Sequence, residues 1–230
     1  MSHSLVYPNM IAIDGPAASG KTTIGRLLAT QSGYLLLDTG AMYRVVTLGV
    51  LNHGIDPQDT EAVIAYAETI DMQLLPAQDA SDGRDTTVVL DGEDVTWQLR
   101  TQAVDEMVST VARIPAVRAA MVAQQQAIGR NGNVIMIGRD IGTVVLPEAP
   151  LKLYVVASAE ARARRRWEER QQRGDTTPYE EILAALKERD RIDSSRAHSP
   201  MVSADDAYII DTSEQSPRDV LDHIMRLMGR

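Results

Sequence analysis

The nine residues GPAASGKTT, Gly15 to Thr23, lie between a strand-like apolar run, MIAID, and a helix-like one, IGRLLATQSG. Two glycines separated by four residues and followed by Lys-Thr have the spacing of a P-loop. In such a loop backbone N–H groups wrap a polyphosphate and the next helix points its positive end at it. Gly15, Pro16, Ala17, Ala18, Ser19, Gly20, Lys21, Thr22 and Thr23 are therefore assigned to a nucleoside triphosphate. Glycine is expected because a side chain would hold the backbone away from the phosphate oxygens. Lys21 is expected to reach the β- and γ-phosphates as a point charge, and the Thr22 hydroxyl to ligate Mg²⁺. A Gly-rich turn with a chance lysine is the bland alternative, and the strand before and helix after the motif speak against it.

At 230 residues the chain can hold one α/β domain with an inserted subdomain. With no Phe and 4% aromatics, the core must be built from Leu, Ile, Val, Met and Ala. The absence of Cys excludes disulfides and thiolate chemistry and suits a reducing compartment. The segment MSHSLVYPN has neither a basic n-region nor a long apolar h-region, and no apolar run reaches membrane-spanning length. A cytoplasmic protein without a membrane partner is expected. A net charge of -9 argues against a nucleic-acid partner, whose affinity would come mostly from phosphate neutralisation. Only Lys21, Lys152 and Lys187 are lysines, and nine arginines fall between Arg162 and Arg196. Arginine's planar fork pairs bidentately with phosphate oxygens, so this concentration in an acidic chain fits a focused anion site.

The order of elements agrees with a parallel sheet covered on both faces. YLLLD predicts a second buried strand, and TGAMYRVVTLGVLNHG a helix opened by a Thr39 cap and stopped at Gly54. NVIMIGRD, LKLYVVA and AYIID predict further strands before a closing helix, SPRDVLDHIMRLM. Between Asp56 and Gly132 the pattern changes to helices at TEAVIAYAETI, QLRTQAVDEMVSTVAR and PAVRAAMVAQQQAIGR, with a hairpin at Asp91-Gly92. Ligands of such sheets sit beyond the carboxyl ends of the strands, where Asp14, Asp38-Thr39 and Arg139-Asp140 all fall.

Taken in order, IDGPAASGKTT, LLLDTGAMYR, GRDIGTVVLPEAPLKLYV and KERDRIDSSR resemble the bacterial cytidylate kinases, which phosphorylate CMP and dCMP from ATP. The likeness runs from about Met10 to the C-terminus, and its GRDIGT and RDxxDSSR segments are specific to that family. It implies a P-loop nucleoside monophosphate kinase fold, α/β, with a parallel sheet flanked by helices. The core would comprise residues 10–55, 133–157 and 207–230, with an inserted, mainly helical NMP-binding subdomain at 56–132. A short lid at 158–178 and a helix at 179–196 would follow. ATP and Mg²⁺ are the implied donor and metal, CMP or dCMP the implied acceptor, and a monomer is expected.

By the same resemblance Arg44 and Arg139 hold the acceptor phosphate, Thr39 and Tyr43 line its pocket, and Asp140 accepts from the cytosine exocyclic amine. Ser109 and Arg118 are implied to contact the cytosine edge, although their local sequence alone predicts solvated helix. Arg189 and Asp193, at i, i+4, are implied ligands of the ribose hydroxyls, and Arg196 of the transferring phosphate. A plain Arg189–Asp193 ion pair is the alternative. Arg162, Arg165 and Arg166 share a helix face, and the lid reading closes Arg162 and Arg166 over the ATP phosphates. RGDTTP would be the lid loop, and a salt-bridged exposed helix the alternative. Lys21, Arg139, Arg166 and Arg196 would carry catalysis by electrostatic stabilisation, without a phospho-enzyme. Family members carry an acid immediately before GRD, where this chain has Ile137; Asp14 or Asp38 could take over any part that acid plays at the metal. A kinase for another monophosphate or small metabolite and a non-catalytic nucleotide-binding module are the rival readings.

Overall fold

The computed structural model describes residues 7–76, 82, 84, 86–172 and 174–228. Residues 1–6 of the leading segment and Arg173 of the expected lid loop lie outside them. The chain begins β1 (Met10–Asp14), α1 (Lys21–Ser32), β2 (Leu35–Asp38) and α2 (Thr39–Asn52). There follow α3 (Thr60–Thr69), β3 (Met72–Pro76), β4 (Thr86–Leu90), β5 (Glu93–Asp94), α4 (Gln102–Ala112) and α5 (Pro115–Gly129). It closes with β6 (Val134–Ile137), β7 (Leu151–Val156), α6 (Ala159–Gln172), α7 (Tyr179–Ser194), β8 (Tyr208–Asp211) and α8 (Pro217–Leu227).

Five strands form one parallel sheet in the order β2-β6-β1-β7-β8. Alternation along each strand splits the core in two. Ile11, Ile13, Ile135, Ile137, Leu153 and Val155 pack against Ile24 and Leu28 of α1 and Val220 and Ile224 of α8. On the opposite face Ala12, Leu37 and Met136 meet Ile141, Val145 and Leu146. In register Asp38 and Ile13 both stand opposite Ile137, so the carboxyl ends of β2, β6 and β1 finish side by side. That common edge is where the expected polar clusters converge.

Helix α2 is apolar on several sides and carries the inserted segment. Its Met42, Tyr43, Val46 and Val50 pack on α3, α4 and α5, while Val45 and Leu48 pack on Val88, Leu90, Leu99 and Val104. The Asp91-Gly92 hairpin forms with φ of 51° and 83°, the left-handed pair that a two-residue turn between twisted strands needs. A strand at β3 was not expected; the signal was the alternation of Met72 and Leu74, both turned to the helical cluster. Nor is QLRTQAVDEMVSTVAR one helix. Residues Gln98–Arg100 form a 3-10 turn anchored by buried Leu99, and Thr101 is extended before α4 starts. Helix α2 is capped by Asp38, whose Oδ1 accepts from Gly40 N at 3.0 Å, rather than by Thr39. Thr39 is its first helical residue and donates instead to the Ile137 carbonyl at 2.8 Å, tying α2 to β6.

Helices α6 and α7 pack around Ala163, Ile182 and Leu186, with Ala17 of the P-loop against the same cluster. No helix of the described residues is long and apolar enough to cross a membrane.

Candidate active site

The P-loop turns between β1 and α1 with φ of 137° at Gly15, 59° at Ala18 and 94° at Gly20. The two glycines are required for different reasons. A Cβ on Gly15 would sit 2.0 Å from the Val155 carbonyl oxygen, so that position is fixed by close approach to β7 rather than by room for phosphate. At Gly20, the N-cap of α1, added bulk meets nothing nearer than Thr212 Oγ1 at 3.8 Å, and the left-handed backbone makes the demand. No side chain caps α1 and no acid occupies its first turn, leaving its N–H groups and positive end available to an anion.

Above this loop opens a cavity of about 740 Å³. Its walls take Ala17 to Thr23 from the P-loop, Thr39, Tyr43 and Arg44 from α2, and Ser109 and Arg118 from the insert. Arg139 and Asp140 after β6, Arg166 of α6, and Arg189, Asp193 and Arg196 complete the set of expected residues. Gly15, Pro16 and Arg162 do not line it. Arg162 departs most from expectation: buried at 4% exposure, it donates to the carbonyls of Ala157 and Ala17 at 3.0 and 3.2 Å and pairs with Asp190 at 2.5 Å. Helical spacing puts it near Arg166, but its fork is fully committed to clamping α6, α7 and the P-loop together. Arg165 does line the cavity, yet it is tied to Thr212 after β8.

Acids already hold most of the cationic groups. Asp193, 2% exposed, accepts from Arg139 Nε at 3.1 Å and from Arg196 Nη2; it is not paired with Arg189. Asp140 and Arg118 form an enclosed pair, and the Arg118 guanidinium lies 5.3 Å over the Tyr43 ring. Arg44 donates to the Leu99 carbonyl at 2.8 Å and to Asp105 Oδ1 at 2.7 Å. The i, i+3 alternative holds in part for Arg166, which meets Glu169 at 3.1 Å. The Nε atoms of Arg118, Arg189 and Arg196 are buried without an acceptor. Burial, then the neighbouring Arg139, brings Arg189 down to about 10, and burial holds Arg196 below its usual value. Lys21 Nζ donates to the Pro16 carbonyl at 2.5 Å, and burial followed by Arg139 lowers its pKa. Buried donors without acceptors, among cations that depress one another, are the chemistry of a polyanion site.

Asp14 serves the fold of the loop rather than a metal. Its two oxygens accept from the backbone N–H groups of Ile141 and Gly142 at 2.8 and 2.7 Å, holding the single π-turn Ile141–Val145 that aims Arg139 and Asp140. Gly138 fits closely there: a Cβ would lie 2.8 Å from Thr39 Oγ1 and 2.6 Å from Ile141 Cδ1, so both side chains would have to shift. Burial pushes the Asp14 carboxyl up to about 6 against those N–H donors. A carboxyl with a raised folded-state pKa favours the fold at low pH, and that contribution is lost as pH rises from about 3.8 through about 6. We expect Asp14→Asn to gain on wild type by up to about 3 kcal/mol between pH 4 and 7, on top of a constant cost for one lost acceptor. Denaturant unfolding at both pH values checks this; a gap that does not change with pH would refute the assignment.

Ile137, 2% exposed, presses its Cδ1 on α1 where Gly25 leaves room; a Cβ on that glycine would lie 2.7 Å away. Ile137→Asp should destabilise the metal-free protein by about 3 kcal/mol, since packing is lost and a carboxylate desolvated one turn below Thr22. ATP-Mg²⁺ should then raise the melting temperature more in the variant than in wild type. Equal gains would show that position 137 does not sense the metal.

Two participants were not anticipated. Asp105 carries no sequence signal beyond an acid in a first helical turn. Thr212, whose Oγ1 contacts the Ser19 carbonyl at 2.9 Å, sits just past a strand's carboxyl end, where the rule for parallel sheets could have flagged it.

The cytidylate kinase family model matches residues 11–230. A cytidylate kinase of Roseiflexus castenholzii is 51% identical over 186 residues, 81% of this chain and 80% of that protein. One of Bacillus pumilus is 45% identical over 220 residues, 96% of each chain. Among solved structures, an uncharacterized protein of Eubacterium ventriosum aligns over 96% of this chain and 98% of its own with a TM-score of 0.50 and 10% identity, a likeness of fold alone.

Proposed function

The chain belongs to the cytidylate kinase family and transfers the γ-phosphoryl group of ATP to CMP or dCMP, and we propose that it does so by direct in-line transfer between nucleotides held at the two ends of the cavity. The observation that carries the reading is one cavity lined both by the uncapped N-terminus of α1 and by the Arg118–Asp140 pair, with arginines whose buried Nε atoms lack an acceptor in its wall. ATP phosphates lie along the P-loop with Lys21 on the β- and γ-groups and Arg166 reaching over them. The acceptor phosphate takes Arg44 and Arg139, while Arg196 serves the transferring group and Arg189 and Asp193 the ribose hydroxyls. Asp140, Arg118 and Ser109 meet the cytosine edge beside Thr39 and Tyr43. With charge spread over equatorial oxygens in a loose transition state, these fixed cations stabilise it without a covalent intermediate.

Mg²⁺ fits the donor set. It keeps most of its waters and needs few protein ligands beside substrate phosphates, so the Thr22 hydroxyl suffices as the direct one. Exposed Asp38 lines the cavity and can accept from its water shell, whereas Asp14 does not line it and holds the Ile141 and Gly142 N–H groups. The ion, when bound, neutralises charge on the β- and γ-oxygens. The enzyme is read as a cytoplasmic monomer, and the absence of Cys suits that compartment.

ADP release measured with CMP, dCMP, UMP, AMP, GMP and shikimate as acceptors tests the reading. Turnover is expected with CMP and dCMP and at most weakly with the others. Equal or better use of another acceptor would move the specificity elsewhere, and no acceptor-dependent release at all would leave a binding module.

A further inference from the structure

Beside Glu169 on Arg166 and Asp82 and Asp94 on Arg84, arginines of the cavity pair with Asp193, Asp140 and Asp105, which differ in how they are held. Asp193 and Asp140 line the cavity with side chains 3% and 6% exposed, on partners that are themselves largely buried. Asp105, in the first turn of α4, is 27% exposed and bridges elements that share no other side-chain ion pair among the described residues. Its Oδ1 is 2.7 Å from Arg44 Nη2 on α2, and its Oδ2 is 3.8 Å from Arg166 Nη2 on α6. Its charge is also felt at Arg189. One carboxylate thus lies within 4 Å of two arginines of the cavity, one on α2 and one on α6.

We infer that Asp105 is a positioning residue, a resident counter-ion on Arg44 that the acceptor phosphate displaces, releasing Arg166 for the donor phosphates. The inference rests on the assignment of Arg44 to the acceptor and Arg166 to the donor. A phosphate monoester near neutral pH carries up to two charges and three acceptor oxygens, against one charge for the carboxylate, so it wins the Arg44 fork. Asp105 is the carboxylate able to yield, because at its exposure it regains water at little cost, whereas Asp193 and Asp140 would strand buried guanidinium groups. While Asp105 holds both arginines, Arg166 is restrained by two acids, Asp105 and Glu169, at 3.8 and 3.1 Å. Filling of the acceptor site then becomes a condition for full cationic coverage of ATP, which disfavours transfer to water.

The test compares Asp105→Asn, Asp105→Ser and Asp105→Glu with wild type, measuring the KM for CMP, kcat, and ADP release from ATP-Mg²⁺ without acceptor. Asn and Ser should lower the KM for CMP by about two- to fivefold and raise acceptor-independent hydrolysis relative to transfer, as expected for removal of a partly exposed ion pair. Glu should restore wild-type values. Calorimetric binding of inorganic phosphate should tighten in the same two variants. Arg44→Lys, measured alongside, separates the two levels of the argument. If it raises the KM for CMP while the Asn and Ser variants leave KM and hydrolysis unchanged, Asp105 is a structural tie and the placeholder is overturned. If Arg44→Lys does not affect that KM, the acceptor assignment of Arg44 falls and the placeholder falls with it.

Discussion

Lys21→Met is expected to reduce turnover by about 10²–10³-fold or more while the protein melts no lower than wild type. The loss follows from position: removing a single fixed charge from a transferring group in a water-poor site costs that much where such donors have been deleted. Retention of stability follows from burial. Lys21 is 6% exposed, and burial, with Arg139 adding to it, lowers its pKa, so the folded chain holds this charge at a cost. Met keeps the apolar stem and removes the charge; what is given up is a hydrogen bond to the Pro16 carbonyl and a longer contact to Ser19 Oγ. Steady-state ADP release with CMP, paired with a thermal melt, checks both halves. Near-normal turnover in a folded variant would sink the P-loop assignment, and a collapsed melt would show that Lys21 holds the loop together.

Asp140→Ala should damage the protein twice. Acceptor binding is expected to weaken by tenfold or more in the KM for CMP and dCMP, with the constant for ATP little changed, since a charged hydrogen bond to the base is worth about 1.5–3 kcal/mol. The fold should also lose about 3–5 kcal/mol, because Arg118 would be left buried at 5% exposure with its Nη2 partner gone and its Nε already without an acceptor. Asp140→Asn keeps the shape and one acceptor oxygen, so it should spare part of the stability while still weakening the acceptor. Chemical denaturation of both variants beside their kinetics separates the effects. An unchanged KM for CMP in Asp140→Asn, with the fold intact, would remove Asp140 from the base site and leave it a structural partner of Arg118.

The sequence by itself determined the sheet, its carboxyl-end edge and the identity of the phosphate loop. These rest on local chemistry: a continuous apolar run is a buried strand, Gly-x4-Gly-Lys-Thr closes one kind of turn, and Asp91-Gly92 supplies left-handed backbone where a hairpin needs it. Of the site residues it named, all but Gly15, Pro16 and Arg162 line the cavity, though Ser109 and Arg118 came only through the family likeness, because nothing in their own helices marks them. Tertiary structure alone decided which charge meets which. Arg162 and Arg166 are one helical turn apart and indistinguishable in sequence, yet Asp190 and the Ala17 carbonyl consume the first while the second faces the cavity. Asp193 and Arg189 have the spacing of a pair, yet Asp193 turns to Arg139, 54 residues away, and to Arg196. Asp14 stands where a metal ligand would, and two backbone N–H groups from the far side of the chain claim it. Asp105 became visible only once α4 packed on α2 and brought it within reach of Arg44 and Arg166. The physical reason is common to all four: backbone preference acts over a few residues, whereas a charge takes the partner that three-dimensional packing and burial leave within reach, and sequence separation carries no information about that distance.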